Sequence, residues 1–246
     1  MIQTDTTKTN PAKRFSNLVQ PYTRDKGYAH PNTETDTVLK AMFDVSDSTE
    51  MYVKLGSLHE LIDDVIEVSK PVPLHNSISK VLSVAKSLLN PYTKWQDIKN
   101  TLNAPFWNSI DTVSMILDTQ QDSVYIQSQE LDEEELAELK REISALQEKI
   151  ISSEIDQHLK QHINRHLKRI LNAIDDYRIT GSLPVLEAVE GMCGHVVMQS
   201  AGNEQYQEQI KDTGIFDTIS KFNDTFSFIS TMQPLLSHAV KLLLGN

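Results

Sequence analysis

Only one cysteine, Cys193, occurs in the 246 residues. A lone cysteine forms no internal disulfide, which excludes a small fold stapled for an oxidising compartment. Glycine and proline are also scarce, at 8 and 9 residues. Sheet-rich domains need more turn punctuation, so the balance favours helix. No run of about 20 apolar residues occurs, so an ordinary transmembrane helix is not expected. The opening MIQTDTTKTN lacks an apolar stretch and does not read as a signal peptide, and Ile2 stands where N-myristoylation needs glycine. The expected compartment is the cytoplasm, with a peripheral position at the inner membrane as an extension of that reading. Phosphate-binding glycine loops, the dinucleotide fingerprint, G-x-S-x-G and H-E-x-x-H are all missing, which removes the common sequence routes to an enzyme. The expectation is a non-enzyme without a cofactor.

What is present is an acidic chain of net charge -11 with 39% hydrophobic residues. The charge repels phosphate backbones, so nucleic acid is not an expected partner. The length suits one large or two small domains, with enough chain for a core that needs neither disulfide nor metal.

Residues 1–33 read as a flexible, mildly basic arm. They are polar, carry Pro11, Pro21 and Pro31, and include Lys8, Lys13, Arg14, Arg24 and Lys26 against Asp5 and Asp25. Such an arm is a disordered tail, a tether to an acidic partner or membrane surface, or a strap across the body. A helical region follows over 34–128. Val38, Met42 and Val45 predict a short helix, and Met51, Leu55, Leu58, Leu61, Ile62, Val65, Ile66 and Val68 predict a longer one ended by Pro71 and Pro73. Ile78, Val81, Leu82, Ala85, Leu88 and Leu89 form the next stripe before Asn90-Pro91. Trp95, Ile98 and Leu102 predict a short helix, and Pro105 opens another through Phe106, Ile110, Val113, Ile116 and Leu117. Ser123–Ile126 has some strand propensity but is too short to found a sheet.

Over 129–200 the spacing predicts a helical hairpin and a following helix. Leu136, Leu139, Ile143, Leu146 and Ile150 recur in a 3-4-3-4 pattern, as in a coiled-coil seam. Ser153 with Asp156 resembles a capping box, so a second helix is expected to begin at Ser153, with a stripe of Ile155, Leu159, Ile163, Leu167, Ile170, Leu171 and Ile174. The first helix is acidic, with Glu134 and Glu138 among six acids from Asp132 to Glu142, and the second is basic at Lys160, Arg165, Lys168 and Arg169. Reversal near Ser152-Ser153 would set these blocks side by side; one continuous bent helix is the rival arrangement. Gly181 reads as a helix stop and Pro184 as the first turn of the next helix. Residues 201–246 then form a linker and C-terminal amphipathic helices, with 199–213 read as an exposed loop or frayed helix. The fold class is therefore all-α: a multi-helix bundle with a central antiparallel hairpin and an N-terminal arm.

Three groups of residues invite chemistry. His158, His162 and His166 lie four apart on one helical face, where adjacent pairs suit a metal ion. The series spans about 12 Å, so one ion cannot take both end histidines. Packing histidines bonded to the acidic helix are the leading reading, and a pH-sensitive interface is a third. Cys193-Gly194-His195 is not a catalytic pair, because neighbours on a helix point about 100° apart. Cys193 is expected to be buried, and Gly191 and Gly194 to admit a closely packed helix. Arg24 and His30 have a spacing used by some helical ribonucleases, but they sit in the proline-bounded arm.

The C-terminal stripe holds Phe222, Phe226, Ile229 and Leu236. It predicts a docked terminal helix, with a partner or membrane surface for residues 215–244 as the functional alternatives.

The segment Ala173-Ile174-Asp175-Asp176-Tyr177-Arg178-Ile179-Thr180-Gly181, following the hairpin, resembles a pattern in uncharacterised bacterial all-helical proteins. The likeness covers about residues 90–200. It implies a bacterial origin and a helical fold, in a mobile-element, immunity or defence context, and carries no activity or site residues. The functional expectation is a non-enzymatic helical interaction module (an adaptor, inhibitor or immunity factor) that binds a protein partner or itself through Glu134, Glu138, Arg165, Arg169 and the C-terminal stripe. The alternative is a membrane-directed, toxin-like effector that exposes its C-terminal helices.

Overall fold

The computed structural model describes residues 10–24, 33–119, 131–200, 208–210, 213–215, 218 and 221. The fold is all-α. Ten helices are named among the described residues, and the one β-type pairing there is an isolated antiparallel bridge between Glu34 and Lys94. The chain divides into two compact units. One spans Lys8–Ile126 with Arg178–Thr180; the other takes in Gln127–Tyr177 and resumes at Gly181.

The first unit holds helices α1 (Pro11–Arg24), α2 (Thr35–Phe43), α3 (Ser48–Val68), α4 (His75–Leu88), α5 (Trp95–Thr101) and α6 (Ala104–Thr119). Here the flexible-arm expectation is corrected over residues 10–24. Asn10 accepts the Lys13 amide on its Oδ1 at 3.0 Å, and Pro11 occupies the first turn, where a missing N–H costs nothing. Phe15 and Val19 are fully buried, with Leu18 and Tyr22 packed beside them. Phe15 stacks on Trp107 at 5.6 Å and meets the edge of Phe106 at 6.4 Å. Arg14, also buried, donates from Nε to the Ile179 carbonyl at 3.3 Å. Pro21 withdraws one donor near the C-terminal end of α1 without stopping the helix.

The second unit is built on α7 (Glu133–Ser152), α8 (Gln157–Asp175) and α10 (Leu183–Ser200); of the single turn α9 (Tyr177–Thr180), which lies between the last two in the chain, only Tyr177 belongs to it. Helices α7 and α8 form the antiparallel hairpin. Lys140 pairs with Asp175, Gln147 bonds Asn164, and Lys160 reaches the Ile151 carbonyl at 3.1 Å, so positions ascending in α7 meet positions descending in α8. The seam buries Leu139, Ile143, Leu146 and Ile150 with Leu159, Ile163, Leu167, Ile170 and Ile174. Asp132 closes a reciprocal capping box with Glu135. Ser153 ends α7, donating to the Ile150 carbonyl, and α8 starts at Gln157 instead of Ser153. Its cap is Asp156, whose Oδ1 accepts the His158 and Leu159 amides. At the open end of the hairpin, Tyr177 Oη accepts the Leu131 amide at 3.0 Å.

Helix α10 lays Val185, Leu186, Val189, Met192, Cys193 and Val196 into this core. Among the described residues Gly191 and Gly194 admit no neighbouring helix: both are exposed, and a Cβ on either would meet nothing within 4 Å. Within 199–213, expected to be an exposed loop or frayed helix, Glu208–Ile210 is helical but Ile210 and Thr213 are buried, while residues 201–207, 211 and 212 lie outside the described residues. No helix among the described residues is long and apolar enough to cross a membrane.

Candidate functional site

The hairpin's charges do not neutralise one another as the sequence suggested. The antiparallel register sets the acidic start of α7 opposite the end of α8, so Glu134 and Glu138 do not face Arg165 and Arg169. An ion pair that crosses the hairpin runs the other way, from Lys140 of α7 to Asp175 of α8. Glu138 pairs within its own helix with Arg141. Glu134, Arg165, Lys168 and Arg169 are exposed, and none of these four enters an ion pair among the described residues. Helix α8 thus carries Lys160, Arg165, Lys168 and Arg169 against one acid, Asp175, in a chain of net charge -11. Arg165, Lys168 and Arg169 fall at i, i+3 and i+4, which makes them one contiguous patch.

Along the edge of that patch lie four histidines. His158, His162 and His166 come from α8, and His195 comes from α10. His158 and His162 approach with ring centroids 4.4 Å apart and their Nε2 atoms 3.3 Å apart. His162 stacks flat on His195 at 5.2 Å, and His166 meets the other side of the cluster, 5.1 Å from His195. The expectation that these histidines bond the acidic helix is overturned: their partners are one another and α10. His195 is the member that sequence reasoning missed. Its helical position relative to Val185, Val189, Met192 and Val196 places it at the margin of the α10 stripe, where a residue meets the edge of α8.

Burial lowers the proton affinity of His162, and the neighbouring His158, His195 and Arg165 lower it further. His166 is shifted the same way by burial, then by His195, Arg169, His162 and Arg165. Its Nδ1 is buried without a hydrogen-bond partner, which suits a neutral ring better than a charged one. Among the described residues no group of three or more His, Cys, Asp or Glu side chains is arranged to hold a metal ion.

The remaining sequence candidates separate. Cys193 is buried, and its thiol is pushed up to about 12 by that burial, with Glu190 adding to the effect. It is therefore a packing residue without thiolate character at neutral pH. Arg24 ends α1 with its side chain exposed, and His30 lies outside the described residues, as do Phe222, Phe226, Ile229, Leu236 and the segment Ser123–Ile126. A cleft of about 360 Å³ opens at the closed end of the hairpin, lined by Lys149, Ser153, Glu154, Ile155, Glu208, Gln209 and Thr213. The Ser153 hydroxyl there is committed to the Ile150 carbonyl at 2.7 Å.

Comparison with protein-family models, with curated proteins and with solved structures finds no match to the chain.

Proposed function

We propose that the protein is a non-enzymatic helical interaction module whose contact surface is the exposed cationic face of α8, and that its partner is an acidic protein surface. The observation that carries this reading is the local reversal of charge: Arg165, Lys168 and Arg169 stand together, unneutralised by α7, on a strongly acidic chain. Such a patch on an acidic body gains little from general polyanion binding, because the surrounding field repels it. It favours a partner small enough, or local enough, to meet the patch alone. Arginine suits this use, since its fork bonds carboxylates in pairs.

The test is a comparison of the wild-type chain with Arg165→Glu/Arg169→Glu as tagged baits in the cells that make the protein. The reading expects a retained acidic protein that elutes with salt and is lost from the reversed variant. Equal retention by both baits, or a partner that binds only through residues after 214, would contradict it. The second outcome would favour a contact made by the C-terminal segment instead.

A further inference from the structure

We propose that His158 and His162 form a two-histidine chelate for a divalent transition-metal ion on the first turns of α8, with the remaining coordination positions open to solvent or to a ligand from outside the chain. The site stands whether or not α8 binds an acidic partner.

The geometry of the pair carries the proposal. Two nitrogens each about 2.0–2.1 Å from a tetrahedral ion lie about 3.3–3.4 Å apart. The Nε2 atoms of His158 and His162 are already 3.3 Å apart, so an ion can take both without a change of backbone. As a hydrogen bond the same distance is long, since N–H donors usually sit at about 2.7–3.2 Å from the acceptor. The spacing is a product of the helix, which stacks residues i and i+4 on one face. Asp156 fixes the local backbone by accepting the amides of His158 and Leu159 at 2.9 and 3.2 Å. His195 fixes one ring, lying within 8° of parallel to His162 at 5.2 Å.

The protons also balance. Were the 3.3 Å contact a hydrogen bond between neutral rings, one Nε2 would donate and the other accept. Metal binding needs both Nε2 lone pairs, so the donating ring moves its proton to Nδ1 through solvent and the neutral pair releases none.

The same surroundings define the ion. Arg165 opposes any dication, so charge alone will not hold one. Ions that bond imidazole well, Cu2+ above Ni2+ and Zn2+, are the expected ligands, and the oxygen-seeking Mg2+ and Ca2+ are not. His166 and His195 lie beyond the chelate: with the rings as placed, no third donor among the described residues converges on it.

The experiment is calorimetric titration of Ni2+ and Cu2+ into the full chain and into His158→Gln, His162→Gln and His59→Gln, with electron paramagnetic resonance of the Cu2+ complex. His158 is exposed, so its replacement should leave the thermal melting of the chain unchanged and keep the comparison interpretable. The expected result is one ion per chain, nitrogen coupling from two imidazoles, loss of that binding in both the His158 and His162 variants, and its retention in His59→Gln. No binding by the wild-type chain, or binding of equal affinity after either replacement, would overturn the site.

Discussion

His162 of α8 and His195 of α10 lie flat against each other, 8° from parallel at 5.2 Å. Thirty-three positions apart in the chain, they meet because α8 and α10 pack their apolar stripes together and leave their margins in register. The contact joins two histidines that no local pattern connects, and it concentrates proton-binding groups on an edge already flanked by Arg165 and Arg169.

That concentration predicts a loss of stability in mild acid. His162 and His166 both bind protons less readily in the folded chain than at the ordinary value of 6.5. The unfolded chain therefore takes up more protons as the pH falls below about 6.5, and acid favours unfolding until the folded rings also titrate. Urea midpoints should hold steady above pH 7 and decline between pH 6.5 and 5. His59, lowered by burial even though its bond to the Leu89 carbonyl acts the other way, contributes the same trend independently. Replacing His166 with Gln should flatten the slope in part; an unchanged slope would mean that the cluster does not set it.

Removing the aromatic anchor of α1 should be severe. Phe15 is fully buried between Phe106 and Trp107, and truncation of such a ring to Ala costs about 3–5 kcal/mol. Chemical denaturation of Phe15→Ala should show a loss of that order. A cost of a few tenths would return residues 10–24 to the status of a loose arm.

Asp156→Ala should unbind two amides at the start of α8 and destabilise the hairpin by about 1 kcal/mol, the usual value of a helix cap. Ser153→Ala, by contrast, removes only a bond at the end of α7. Equal effects would argue that α8 begins earlier than Gln157.

Gly191→Ala and Gly194→Ala should each stabilise the chain by about 0.5–1 kcal/mol, since an added methyl meets open space in mid-helix. Thermal melts read this directly, and a fall in melting temperature would reveal a neighbour at α10.

Most helices were legible because their stripes are long and their stops chemical. The seam of Leu139, Ile143, Leu146 and Ile150 announced α7, and Pro71, Pro73 and Pro91 bounded α3 and α4 in advance. Helix α1 is hard to read because Pro11 and Pro21 look like breakers, although a proline in the first turn is compatible with helix and the stripe Phe15, Leu18, Val19, Tyr22 is present. Asp156 is itself the cap of α8, whereas Ser153, three residues earlier, closes α7. The facing of the charge blocks depended on register, which no count of acids and bases supplies. His158 and His162 were visible as a pair through their spacing. His195 was not, because its role depends on how two stripes meet in space.

The most direct test of the α8 surface is photo-crosslinking from a single benzoylphenylalanine at Lys168, compared with one at Glu134, in the cells that make the protein. The account predicts a discrete protein adduct from position 168 that disappears with Arg165→Glu/Arg169→Glu and is missing from position 134. Adducts of equal yield from both positions, or none from 168, would contradict it.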